Sequence, residues 1–295
     1  MRTMRRGGVA MLVALLVLVT VASVPAQALT QQRKWSAKVG TSGANGAVTL
    51  RAYTDGSGQI TYGLKGLRAN AKYSVYIRKG SCTKLGSIVA RLTPITASAT
   101  GVVSRTNPVL NMEMYYIWTA ARTPGFVVRF VSGTSIKCGA LDFAKSTRVI
   151  VSGLGIDLPV IRGASTYPKC GVAMYAYSVA QPREPGITFI YAHARTGMFL
   201  PLLTRWRADK GASLLGRIVK VYTNDAYITY YKINKVRVTH DAMAGVTTLS
   251  RERLWLQTST GPNTSYPKLI VEASRYSVVK TTYAASHPTP HPYSC

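Results

Sequence analysis

Pro185-Gly186-Ile187-Thr188-Phe189-Ile190-Tyr191-Ala192-His193-Ala194 sets a turn, then a run of apolar and β-branched residues, then a histidine. Pro-Gly is a turn signal and the run after it has strand composition, so a strand is expected at Thr188–Ala192 with His193 just past its end. Beyond it, Thr196–Arg207 carries Met198, Leu202 and Trp206 at helical spacing, with Pro201 tolerable near a first turn. Strand-like segments surround this pair at Arg148–Val151, Leu158–Ile161, Val172–Tyr177, Arg217–Tyr222, Ile228–Val238, Leu254–Gln257 and Lys268–Ala273. Eight strands with one short helix predict a closed β-barrel rather than an open sheet.

The first half also reads as all-β. Ala47–Tyr53, Gln59–Leu64 and Tyr73–Arg78 alternate apolar and polar residues, and further strands are expected at Ser87–Leu92, Tyr115–Ala120 and Phe126–Val131. Turn signals at Thr54-Asp55-Gly56-Ser57-Gly58, Arg68-Ala69-Asn70-Ala71 and Thr123-Pro124-Gly125 separate them. Short strands at this spacing predict a β-sandwich, and Gly66–Tyr73 has the form of a sandwich corner, a tyrosine after a turn packing on Leu67. The half contains no histidine and only Asp55, Glu113 and Asp142 as acids, so it is read as a binding or spacer module. The fold class is therefore all-β, a sandwich over 29–146 followed by a barrel over 147–283, with the boundary near Asp142–Thr147 and a flexible tail over 284–295.

Arg2, Arg5 and Arg6 precede an apolar stretch from Val9 to Val24, and Pro25-Ala26-Gln27-Ala28 offers a small-x-small cleavage site. This is the layout of a secretory signal peptide over 1–28. The stretch is shorter than the roughly 20 apolar residues a membrane span needs, so no transmembrane segment is expected to remain after cleavage. The exported chain is then extracytoplasmic, at the cell surface or secreted. Lys and Arg number 37 against 10 Asp and Glu, a formal charge of +27, which bears on partners and solubility rather than fold. The basic residues are shared between the halves instead of gathered in a tail, which argues against a nucleic-acid arm. An anionic cell-wall polymer and a plain solvated surface both fit this charge.

The cysteines are Cys82, Cys138, Cys170 and Cys295. Cys82 and Cys138 lie in the first half in Gly- and Ser-rich settings and are paired here as a disulfide, worth about 4 kcal/mol in the loop-entropy account. Cys170 is then an odd cysteine, either a small buried hydrophobe, a partner of the terminal Cys295, or a reactive thiol. No cysteines have zinc-ligand spacing. His240 lacks a partner at ligand spacing, and His287 and His291 lie in the Pro/His tail, so no metal or cofactor is expected.

Gly155-Ile156-Asp157-Leu158-Pro159-Val160-Ile161, the Pro185–Ala194 stretch, Met198-Phe199-Leu200-Pro201-Leu202, Leu214-Leu215-Gly216, Leu256-Gln257-Thr258-Ser259 and Lys268-Leu269-Ile270-Val271 follow one another in an order that closely resembles the sortase family. The resemblance covers about residues 148–280. It implies an eight-stranded barrel and extracytoplasmic transpeptidase action on the sorting signals of surface proteins, through an acyl-enzyme. The family uses a His, a Cys and an Arg, and the positions matching them here hold His193, Ser259 and Lys268. Two of the three depart from the family pattern.

Those departures change the chemistry. A thiol is readily lowered into the thiolate range by a cation, whereas a serine hydroxyl needs a base that takes its proton during attack. Three arrangements follow: Ser259 activated by His193 with Lys268 at the oxyanion; Cys170, ahead of the Pro-Gly turn, as a relocated nucleophile; or a groove that binds surface proteins or wall polymer without catalysis. Arg195, two residues past His193, falls on the same side if the strand continues and then offers a substitute cation.

Overall fold

The computed structural model describes residues 31–43, 45–53, 55–120, 125–163, 167–246, 251–263 and 266–295. The expected signal peptide lies outside them. The first half forms β1 (Gln31–Lys38), β2 (Gly46–Tyr53), β3 (Gly58–Leu64), β4 (Lys72–Gly80), β5 (Leu85–Thr96), β6 (Val103–Val109), α1 (Asn111–Ala120), β7 (Phe126–Ser132), β8 (Ser135–Ala140) and β9 (Asp142–Phe143). One sheet has the order β6-β3-β2-β1-β9 and the other β5-β4-β7-β8. Val48 and Leu50 from the first sheet and Val75, Ile77 and Phe130 from the second are fully buried in one shared core, as the two inner faces of a sandwich require. At the predicted corner the Tyr73 hydroxyl accepts a hydrogen bond from the Arg68 backbone N–H at 3.0 Å, and Leu67 is buried beside it. The disulfide between Cys82 and Cys138 ties the β4–β5 turn to β8, with Cα atoms 5.8 Å apart.

One expected strand is instead a helix. Tyr115–Ala120 belongs to α1, because Met114 and Ile117 are buried at helical spacing with Trp118 packed beside them, while Tyr115 and Tyr116 are both exposed. The Glu113 carboxylate accepts from the Leu110 N–H at 3.0 Å and closes the helix start.

The second half forms β10 (Ser146–Val151), β11 (Ile156–Arg162), β12 (Ala173–Tyr175), β13 (Ile187–Tyr191), α2 (Leu200–Asp209), β14 (Ile218–Thr223), β15 (Tyr227–Thr239), β16 (Arg253–Ser259), β17 (Lys268–Lys280) and the one-turn helix α3 (Tyr283–Ser286). Its strands close a barrel in the order β10-β11-β12-β13-β16-β17-β15-β14. All eight expected strands are present. The helix begins at Leu200 rather than Thr196, which puts Pro201 in its first turn where a missing N–H costs nothing, and it ends at Lys210 in the left-handed region with φ 57°.

The chain leaves the sandwich at Phe143, opposite Trp35 of β1, and enters the barrel at Ser146. The two are clasped by a buried ion pair. Arg33 of β1 donates to both carboxylate oxygens of Glu184 and, at 2.7 Å, to the Val179 carbonyl on the loop that precedes β13. Its guanidinium lies 4.7 Å from the Phe143 ring and 4.9 Å from the Trp118 ring.

The tail departs from the flexible segment expected over 284–295. The Thr282 side chain caps α3, Arg148 of β10 donates to the Ala285 carbonyl at 3.1 Å, and Ser286 is fully buried. Farther on, Cys170 and Tyr293 exchange both backbone hydrogen bonds, at 3.0 and 3.2 Å, and Cys295 is disulfide-bonded to Cys170 with Cα atoms 5.4 Å apart. The backbones approach so closely that a Cβ at residue 171 would meet the His291 carbonyl at 2.7 Å, and Gly171 also holds φ +75°.

Candidate active site

Strand register brings the candidate residues together. β13 and β16 run parallel with Tyr191 opposite Gln257, and the Ala192 N–H donates to the Gln257 carbonyl at 3.1 Å. His193 lies two residues beyond the first of these positions and Ser259 two residues beyond the second. β16 and β17 are antiparallel, with Ser259 opposite Lys268. Thr258 is wholly buried, so alternation along β16 turns Ser259 outward. His193, Ser259, Lys268 and Arg195 line one cleft of about 510 Å³, with Tyr167 and Pro168 on the histidine side.

His193 is buried apart from about a tenth of its surface. Its Nε2 lies 2.8 Å from the Pro168 carbonyl, and the Tyr167 ring sits 4.6 Å from the imidazole at a tilt. A carbonyl only accepts, so Nε2 carries the proton and Nδ1 is the basic nitrogen of the neutral ring. The Ser259 hydroxyl donates to the Gly261 carbonyl at 2.8 Å. Burial pushes the Tyr191 hydroxyl above its ordinary range, so this phenol stays protonated in the cleft.

Two expectations are corrected. Cys170 is not a free thiol: it is almost wholly buried and bonded to Cys295, so no thiolate is available there for attack while the bridge is closed. The two sulfurs and a ring nitrogen of His193 nevertheless lie within 4.8 Å of one another. Arg195 does not lie on a continued strand, because β13 ends at Tyr191 and the chain bends at Ala194–Arg195. It still reaches the cleft through that bend. The contribution of Pro168 was missed in the sequence because it is made by a backbone carbonyl. Only the neighbouring Cys170 hinted that the segment mattered.

Residues 149–276 match the family model of the Sortase domain. The barrel is a sortase domain. The match leaves the sandwich outside it. Among solved structures, similarity is found to sortase A of Listeria monocytogenes, at 15% identity and a TM-score of 0.39 over 46% of this chain and 91% of that one. A pilus-related sortase C of Group B Streptococcus is similar at 18% identity and 0.37, over 45% and 68%. Sortase C of Clostridium perfringens SM101 gives 15% and 0.35, over 45% and 70%. No curated relative matches the chain. Within the sortase domain the cleft can offer a hydroxyl, an imidazole and an ammonium group to one bound carbonyl, the minimum set for acyl transfer.

Proposed function

We propose that this sortase domain is a serine transpeptidase or hydrolase acting on the sorting signals of surface proteins through an acyl-enzyme. The observation that carries the reading is the convergence of His193, Ser259 and Lys268 on one cleft at the ends of three neighbouring strands. Ser259 turns from the Gly261 carbonyl toward His193 Nδ1, which takes the hydroxyl proton as Oγ attacks the scissile carbonyl. Lys268 holds the oxyanion as a point charge. The protonated imidazole then gives its proton to the leaving amine, and an ester on Ser259 remains. An acceptor amine or water, deprotonated by His193, attacks that ester and releases Ser259. Arg195, exposed at the cleft rim, is the alternative cation.

The matching fold and two disulfides support an extracytoplasmic setting, reached through the signal segment over 1–28. The +27 charge supports contact with an anionic wall polymer.

One observation favours a second reading, in which the groove binds a surface protein without cleaving it. The Ser259 proton is committed to Gly261 and not to His193. The two readings part in one experiment. Sorting-signal peptides are incubated with the protein, and Ser259 is searched by mass spectrometry for an acyl adduct, alongside His193→Ala, Ser259→Ala and Lys268→Ala. The enzyme reading expects the adduct and its loss in Ser259→Ala. Cleavage that survives His193→Ala overturns it, and peptide binding with no adduct supports the non-catalytic groove.

A further inference from the structure

We infer that Cys295 is a positioning residue for His193, acting through its disulfide to Cys170 and the carbonyl of Pro168. The inference rests on the serine-enzyme reading for its catalytic consequence, while its structural content stands apart from it. A base that activates a hydroxyl needs a third group to fix its tautomer and orientation. Among the described residues no carboxylate is bonded to His193. The group that takes its N–H is the Pro168 carbonyl, at 2.8 Å.

A backbone carbonyl orients a ring only if its own segment is fixed. Segment 167–170 is fixed from the tail. Two residues beyond Pro168, Cys170 exchanges two backbone hydrogen bonds with Tyr293 and is bonded to Cys295. The Cys295 sulfur lies 3.9 Å from the same Pro168 oxygen. Both sulfurs are within 4.8 Å of a His193 ring nitrogen. The glycine at 171 gives the tail backbone the room to come this close. Tail, carbonyl and imidazole thus form one run of contacts, and its covalent member is the Cys170–Cys295 bridge.

The consequence is dependence on redox state. A dithiol reductant supplies two electrons and two protons, the bridge becomes two thiols, and the reductant closes to its own disulfide. The tail then loses its covalent tie to Cys170, and the Pro168 carbonyl its fixed place over Nε2. Misplacing a catalytic group by about 1 Å costs about 10²-fold in rate.

The test compares the oxidised protein, the dithiol-reduced protein, its reoxidised form and Cys295→Ser, with the Cys82→Ser/Cys138→Ser protein as a control that keeps the tail bridge. The first readout is the His193 tautomer, from ring ¹⁵N shifts. The oxidised protein and the control should show a single Nε2–H tautomer. Reduction and Cys295→Ser should give a mixture, reversed by reoxidation. The second readout is peptide turnover, expected to fall about 10²-fold in kcat with KM little changed. A single Nε2–H tautomer in both the reduced protein and Cys295→Ser overturns the inference. So does a tautomer change with kcat intact. If no form turns over peptide, the serine-enzyme reading fails, and the tautomer alone still decides whether the tail positions the ring.

Discussion

Arg33→Ala tests how the sandwich is held on the barrel. The arginine and Glu184 are both almost wholly buried, with side chains 4% and 7% exposed. Truncation deletes the hydrogen bonds to the carboxylate and the one to the Val179 carbonyl. Glu184 keeps the Gln181 N–H at 2.8 Å as its remaining donor. Removing one member of a buried pair costs about 3–5 kcal/mol, because the other charge stays uncompensated. Loss of the guanidinium between the Phe143 and Trp118 rings adds about 1 kcal/mol. The companion Arg33→Met/Glu184→Gln removes both charges and should recover most of the loss, short of about 1 kcal/mol for the unpaired Val179 carbonyl. Urea unfolding followed by tryptophan fluorescence reads this directly, since Trp35 and Trp118 flank the site. The pH dependence has a definite sign. Burial pushes the Glu184 carboxyl up and Arg33 pulls it back. With Arg33 in place burial already outweighs the ion pair and the carboxyl sits above its ordinary value. Without Arg33 it rises further, so the variant loses more stability than the parent as pH rises through that folded value, and its deficit narrows as pH falls. A loss under about 1 kcal/mol, or a deficit that widens toward low pH, would refute the clasp.

Three further outcomes are expected. Cys82→Ala should destabilise the sandwich by about 4 kcal/mol, read by thermal or urea unfolding, since the bridge closes a loop of sequence separation 56. Tyr73→Phe should cost about 1 kcal/mol by the same measurement, through the hydrogen bond its hydroxyl accepts from the Arg68 N–H. Ser259→Cys should make peptide cleavage sensitive to thiol alkylation, and Lys268→Arg should raise its rate more in that background than beside the native serine; steady-state rates of the four proteins measure the coupling.

The barrel was legible because its strands are apolar or alternating runs bounded by turns, and a run such as Ile187–Tyr191 has few other uses in a chain of this kind. The strands that escaped show what obscures the signal. In β1 an inward position holds Arg33, a charge that looks solvent-facing until Glu184, 151 residues away, is placed against it. β6 is a sheet-edge strand carrying Pro108, where a proline lowers strand expectation without forbidding it. In α1 the adjacent aromatics Tyr115 and Tyr116 imitate strand composition, and only the buried Met114 and Ile117 reveal the helical period. Side-chain members of the candidate site could be named because the motifs at Pro185–Ala194, Leu256–Ser259 and Lys268–Val271 resemble those of the sortase family. The Pro168 carbonyl and the Cys170–Cys295 bridge could not be fixed, one being backbone and the other the closure of 125 residues.

Ser259 and Lys268 are register partners across β16 and β17, so in the proposed enzyme the two positions read as departures from the sortase pattern face each other. They belong together chemically. A thiolate is charged before substrate arrives, and a guanidinium beside it stabilises that resting charge and holds its geometry with a planar fork. A serine hydroxyl carries no charge at rest, so a cation beside it has nothing to hold in the ground state. Its remaining task is the oxyanion, which exists only during reaction, and a single ammonium group meets that need. Replacing the nucleophile therefore removes the particular advantage of arginine, and lysine at 268 is no further handicap. The burden moves to the base. In the proposed serine enzyme proton removal accompanies attack, which makes the orientation of His193, and whatever fixes it, the step on which that chemistry turns.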